Sequence, residues 1–365
     1  MVTSILVATR KGLIHVEQQG GRWQPTQTAF LAEPVSMCFA DHRDGSWYAA
    51  LRLGHFGPKL HRSRDRGRSW QEIAVPAFAA TDTSDNTDTG DKPPSVDMIW
   101  ALESGGADRP GVLWAGTLPG ALFRSEDSGD SWQLNRALWD MPARKEWNGG
   151  GYDLPGIHSI AVDPRDSRCL TVAISTGGIW HSSDEGRSWA HRTQGMRAAY
   201  MPPELAFEPN AQDPHRLVAC PAHPDRVWVQ HHNGIFRSDD AGVQWHELDH
   251  VEPSSFGFAV AVHPTDPDTA WFVPAVKDEC RVPVGQRLVV TRTRDGGKHF
   301  TSLNNGLPQQ HCFDLIYRHG LDVDSNGQRL VMGSTTGNLW LSEDQGDSWM
   351  MVAGHFPPIY AVRFI

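Results

Sequence analysis

Ser182-Ser-Asp184-Glu-Gly186-Arg-Ser-Trp189 is the stretch from which the fold is read. Reduced to Ser-x-Asp-x-Gly-x-x-Trp, it recurs with its Asp at 65, 127, 184, 240 and 344, and as Thr293-x-Asp295-x-Gly297-x-x-Phe300 with both ends altered conservatively. The six Asp positions lie 62, 57, 56, 55 and 49 residues apart, the period of a four-stranded repeat with loops of variable length. Each residue type has a structural reason. The carboxylate accepts backbone N–H groups across a tight turn, glycine takes positive φ, and the aromatic ring fills the gap between neighbouring sheets. These Asp residues are therefore read as structural, not as catalytic or calcium-binding groups.

Around each copy four short apolar runs alternate with Gly, Pro and Asp turns. In the fourth repeat the strands are expected at 158–164, 169–176, 178–183 and 188–193, with the repeated turn as the hairpin between third and fourth. A seventh unit is split between the ends of the chain. Residues 5–10, 12–16 and 22–26 supply its second, third and outer strands around a degenerate Gly-Gly-Arg-Trp turn, and 358–364 supplies its inner strand. Pairing the two ends in one sheet leaves no open edge. The expectation is an all-β, seven-bladed β-propeller of four-stranded blades forming one domain over 1–365, an architecture that lets 365 residues fold without one oversized core.

Bulk composition agrees. The chain is 39% hydrophobic and 21% charged, with 35 Gly, 25 Pro and 15 Trp, which favours short strands and tight turns over long helices. A formal net charge of −10 argues against a nucleic-acid partner. Five widely spaced cysteines without a Cys-x-x-Cys pair read as reduced thiols, so a cytoplasmic protein is expected. The first residues lack a basic region and a cleavage site and read as a strand. No run is long enough to cross a bilayer, so no membrane partner is expected.

In a propeller, connections between blades and those between second and third strands emerge on one face. Segments 75–96, 133–157, 194–214 and 275–286 are all long and all fall there, which makes this the functional face. Segment 75–96 is polar and of low complexity, as expected of a mobile lid or plain disorder. Segment 139–158 offers Trp147 and Tyr152 to stack on a sugar ring, three glycines for close backbone approach, and Asp153 and His158 for proton transfer. Tyr200, Glu204, His55, His231, His232 and Arg281 join them from neighbouring loops. The histidines come from distant segments without ligand spacing, so neither a metal nor another cofactor is assigned.

The repeated turns, together with the stretches 156–164, 230–242, 256–264 and 333–349, resemble the Asp-box, or bacterial neuraminidase repeat, propellers, and within them a bacterial sialidase-like, glycosyl hydrolase-like group. The resemblance covers the whole chain. Sialidases hold a substrate carboxylate with three arginines and use an activated Tyr, an Asp and usually an Arg-Ile-Pro motif on six blades. This chain has no Arg-Ile-Pro and seven units. Arg10, Arg52, Arg281 and Arg318 are the arginines available to face the central pocket, and Tyr317 or Tyr360 the tyrosine, but no motif assigns them. Sialidase activity proper is not expected. The chain is also similar to seven-bladed endoglucanase-type hydrolases and to a protein-binding photosystem assembly factor. Two readings follow for the loop-bearing face. One is a hydrolase or lyase acting on a carbohydrate, with Asp153 and Glu204 as acid and base; the other is a non-catalytic platform for a protein ligand.

Overall fold

Inner strands begin at Val35, Met98, Ile157, Pro214, Gly257, Leu321 and Ile359, and each contacts the inner strand of its neighbours, so that seven antiparallel four-stranded sheets close into a ring. The computed structural model describes residues 4–80, 82 and 94–365. Most of the low-complexity segment, and with it the lid reading, lies outside the described residues.

The fourth blade shows the pattern, with strands Ile157–Val162, Leu170–Ile174, Gly178–Ser182 and Ala190–His191. Its second strand, Leu-Thr-Val-Ala-Ile, is rich in β-branched residues and buried along most of its length, as a strand covered on both faces must be. The outer strand keeps two residues because it faces solvent and has one partner.

The expected closure is present. Ser4–Thr9, Gly12–Gln19 and Arg22–Ala29 form the first blade with Ile359–Phe364 as its inner strand. Val7 pairs antiparallel with Val362, and Ile5 with Phe364.

The repeated turn works through its serine as much as its aspartate. Ser182 Oγ accepts the Gly186 N–H at 2.7 Å and donates to Asp184 Oδ1 at 2.8 Å, while Asp184 accepts the Ser188 N–H at 2.9 Å. Hydrogen bonds from Ser188 and Ser182 hold the exposed Asp184 carboxyl down at about 2. The same bonds recur at Ser63, Ser125, Ser238, Thr293 and Ser342. Box aromatics reach back to the preceding blade, as Trp245 Nε1 does in donating to Arg192 O at 2.8 Å and Trp132 Nε1 to Ala74 O at 3.0 Å. Each turn is thus capped by its own Ser or Thr and Asp, and those of Trp132 and Trp245 also staple neighbouring blades.

The ring axis carries a cavity at each face. At the end carrying the repeated turns this is a funnel of about 1080 Å³, lined by the final residues of the inner strands and by Glu103, Arg216, Asp322 and Arg363. Burial, partly relieved by the arginines, raises the Glu103 and Asp322 carboxyls, and burial lowers the Arg216 guanidinium to about 10. Among the described residues no helix is long and apolar enough to cross a membrane.

Candidate binding site at the loop-bearing mouth

At the opposite end the channel closes to a pocket of about 250 Å³. Its chemistry is cationic and aromatic. Arg52, Arg281 and Arg318 line it with Tyr152, Tyr317, Tyr360 and Trp100, and no carboxyl group is among the lining residues.

Arg318 is the unusual member. Its side chain is 7% exposed, its guanidinium lies 5.0 Å from the Trp100 ring and 5.5 Å from the Phe258 ring, and its Nε has no hydrogen-bond partner. Among the described residues no carboxylate pairs with it. Burial lowers its pKa, with Asp213 and the tyrosines opposing, but a guanidinium stays charged at any physiological pH. Cation–π contacts with two rings offset part of the desolvation; the remaining charge is directed at the pocket.

The other two arginines are braced. Arg52 pairs with Asp97 at 2.6 Å and lies 5.2 Å over Tyr152, and Arg281 pairs with Asp278 at 2.5 Å and lies 5.3 Å from Phe258. Burial opposes the charge on Arg281, yet bonds to Tyr317 and Asp278 outweigh it and raise its pKa. Trp100 is seated because residue 156 is glycine: a Cβ there would lie 2.5 Å from the indole.

Arg318 is placed by the connection from the sixth to the seventh blade, residues 304–320, which sequence reasoning did not single out as an insertion. Asp314 pins it, accepting from Thr336 Oγ1 at 2.7 Å, Asn338 Nδ2 at 2.8 Å and Cys312 Sγ at 3.0 Å. Thr335 N–H donates to Leu315 O, and His319 bridges to Ala361 of the closing strand.

Beside this pocket stands a second polar cluster. Asp213 Oδ2 lies 3.2 Å from His232 Nδ1 and 3.6 Å from His215 Nε2, and its Oδ1 is buried without a partner. His215 Nδ1 lies 2.7 Å from Gly257 O and its ring stacks on Phe258 at 4.5 Å and 14°. Asp213 is held well below the usual carboxylate range: burial alone would raise it, but His215, His232 and Arg318 together overcome that.

Of the residues named from sequence, Tyr152 and Arg281 line the pocket, as do Arg52, Arg318, Tyr317 and Tyr360 from those named as available to face it, while Arg10 does not. His158 is fully buried, its ring 5.5 Å from Trp100. His231 is fully buried, its Nε2 accepting the Asp213 N–H at 3.0 Å, and His232 joins the second cluster. Trp147 is 5% exposed and packs 6.0 Å from Trp180 in the fourth-blade core, so its ring covers the blade interface. His55 is exposed, its ring tilted against that of Phe56. Asp153 and Glu204 are exposed, and among the described residues no hydrogen bond or ion pair brings either to the pocket or to the other.

Asp213, His215 and Trp100 escaped sequence reasoning altogether. One signal existed. It reaches His215 alone: the second residue of six of the seven inner strands reads Ser36, Ile99, His158, His215, Phe258 and Tyr360, while the strand that begins at Leu321 has Asp322 there, in the opposite funnel.

No family model matches the chain. A xyloglucanase of Paenibacillus sp is 36% identical over 324 residues, which are 78% of this chain and 30% of that protein. A xyloglucanase of Hypocrea jecorina (strain QM6a) is 26% identical over 160 residues, 40% of this chain and 18% of its own length. The chain therefore spans less than a third of these relatives. Among solved structures, an ancestral GH74 enzyme superposes with a TM-score of 0.58 at 14% identity, covering 91% of this chain and 38% of that one. A functionally unknown protein from Desulfotomaculum acetoxidans DSM 771 superposes at 0.60 with 10% identity, covering 100% and 99%. The fold defines the class, a seven-bladed β-propeller, and glycosyl hydrolases are among its relatives.

Proposed function

We propose that the loop-bearing mouth recognises an anionic carbohydrate, a saccharide carrying a carboxylate such as a uronic or sialic acid. One observation carries the reading: Arg318 is a buried guanidinium that no carboxylate contacts among the described residues, Asp213 acting on it only through space, and it lines a pocket whose walls are aromatic. An uncompensated buried charge costs roughly 3–5 kcal/mol, and a ligand carboxylate accepting two parallel N–H bonds from the guanidinium supplies the missing partner. Arg52 and Arg281 add charge at the rim, while Tyr152 and Trp100 present ring faces and edges of the kind that pack on sugars. Similarity to carbohydrate-acting relatives supports a saccharide over other carboxylates.

The pocket lining has no carboxyl pair, so two-carboxylate glycoside hydrolysis is not the chemistry this pocket favours. Recognition is. A protein ligand presenting an acidic side chain is the second reading, favoured by Phe56 and Phe207, which stand 72% and 65% exposed in loops of the same face.

Calorimetric titration with uronic-acid oligosaccharides, sialyllactose, neutral xyloglucan oligosaccharides and an acidic peptide tests both. An acidic saccharide is expected to bind, with affinity falling at least roughly 100-fold in Arg318→Met, the loss of a charge-assisted bidentate contact worth about 3 kcal/mol. Binding of neutral oligosaccharides that is indifferent to Arg318→Met would overturn the proposal, and binding of the peptide alone would select the second reading.

A further inference from the structure

We propose that Asp213, His215 and His232 form a binding site for one divalent transition-metal ion of the zinc class. This is independent of the saccharide reading, because none of the three residues lines the arginine pocket.

The donor set is two imidazoles and a carboxylate, the combination that suits zinc and its neighbours in catalytic-type sites. The three ligand atoms lie within 4.8 Å of one another. Asp213 Oδ2 stands 3.6 Å from His215 Nε2 and 3.2 Å from His232 Nδ1. Metal–ligand bonds of about 2.0–2.1 Å in tetrahedral geometry set ligands roughly 3.3 Å apart, so both separations already bracket the required edge. The longer one lies at the limit of hydrogen-bond reach, so an ion fits between Asp213 and His215 with little movement of either.

Two further observations point at a ligand. His215 Nδ1 faces the Gly257 carbonyl at 2.7 Å, and a carbonyl only accepts, so the ring proton is fixed on Nδ1 and the Nε2 lone pair faces Asp213. Metal-bound histidines are characteristically oriented in this way by their outer neighbours. Asp213 Oδ1, in a side chain 4% exposed, has no hydrogen-bond partner, and a buried carboxylate oxygen left bare is costly unless a cation meets it.

The surroundings are rigid and selective. His231 holds the Asp213 backbone, a Cβ on Gly150 would lie 2.9 Å from Asp213 Oδ2, and Phe256 and Phe258 pack around His215. His232 is the open side, its side chain 24% exposed, which leaves an entry path and a coordination position for water.

The test is equilibrium dialysis of chelator-stripped protein against zinc chloride, with metal analysis, and visible absorption after loading with cobalt(II). Wild type is expected to take up one ion per chain at micromolar or lower free zinc, and cobalt is expected to show the intense ligand-field bands of a four- or five-coordinate site. His232→Ala, on a surface turn, and Asp213→Asn should each weaken uptake at least roughly 100-fold, since even outer-shell changes cost 10–100-fold, while His55→Ala should bind like wild type. Circular dichroism confirms that each variant is folded, and His232→Ala keeps the test decisive should Asp213→Asn fail to fold. No uptake below millimolar zinc, or uptake equal in wild type and His232→Ala, would overturn the proposal.

Discussion

Ser182 is 0–1% exposed in the company of the other box serines, and its hydroxyl serves two partners at once, the Gly186 N–H and the Asp184 carboxylate. Replacing it with Ala strands a buried backbone donor, a loss of about 1–3 kcal/mol. Thr should be tolerated, since Thr293 fills the same role and accepts the Gly297 N–H at 2.8 Å. Denaturant melts of Ser182→Ala and Ser182→Thr check this, the first destabilised and the second within error of wild type. Arg318 obeys the opposite logic. Its Nε is bare and no carboxylate contacts it in the free protein, so Arg318→Met is expected to leave the melting temperature unchanged or raise it while abolishing recognition of acidic saccharides, the signature of a group kept for binding at the expense of stability.

At the scale of elements, connection 304–320 and the closing strand carry the most consequence. Asp314 accepts three hydrogen bonds and is not among the residues that line the pocket. Asp314→Ala frees the segment that ends in Tyr317 and Arg318, and acidic-saccharide affinity is expected to drop about tenfold through the lost pre-organisation, with the fold retained by circular dichroism. The strand Ile359–Phe364 closes the ring. Val362 is fully buried opposite Val7, so Val362→Asp places a charge in apolar surroundings at a cost of several kcal/mol. Freed of its partner, Ser4–Thr9 becomes an open apolar edge. Size-exclusion chromatography should then show aggregate where wild type elutes as a defined species.

For the whole molecule the telling feature is how many histidines are buried neutral. Burial, reinforced by Arg318 and Arg216, holds His158 and His319 well below the usual imidazole range, and burial lowers His191 to about 4. The geometry agrees at His319, whose Nδ1 accepts from Arg363 at 3.1 Å and so must be unprotonated. The unfolded chain protonates these rings near pH 6.5 and the folded chain refuses the proton until well below it, so unfolding takes up protons in that window. Stability is full above about pH 7 and falls as the pH drops toward 4, by about 1.4 kcal/mol per pH unit for each such ring. Calorimetry between pH 4 and 8 should show the melting temperature falling on acidification. A flat profile would mean that these rings are protonated in the fold.

Repeat spacing, strand number and ring closure were determined by the sequence alone, because the turn motif is local: Ser, Asp, Gly and Trp within eight residues satisfy one another, and six near-copies leave one architecture. The loop-bearing face followed from loop lengths and topology, and Tyr152 and Arg281 on it were legible as members of long connections. The site itself was decided only by tertiary structure. Arg52 and Tyr360 come from two different blades and Arg318 from the connection between two others, and Asp213, His215 and His232 meet because the start of the fifth blade's inner strand lies beside its own second turn. Trp147 and Tyr152, five residues apart in one glycine-rich loop, part company, the first into the core and the second to the pocket. Composition reports which side chains a loop can offer. Which of them face the channel is set by packing against neighbouring blades, and that is non-local.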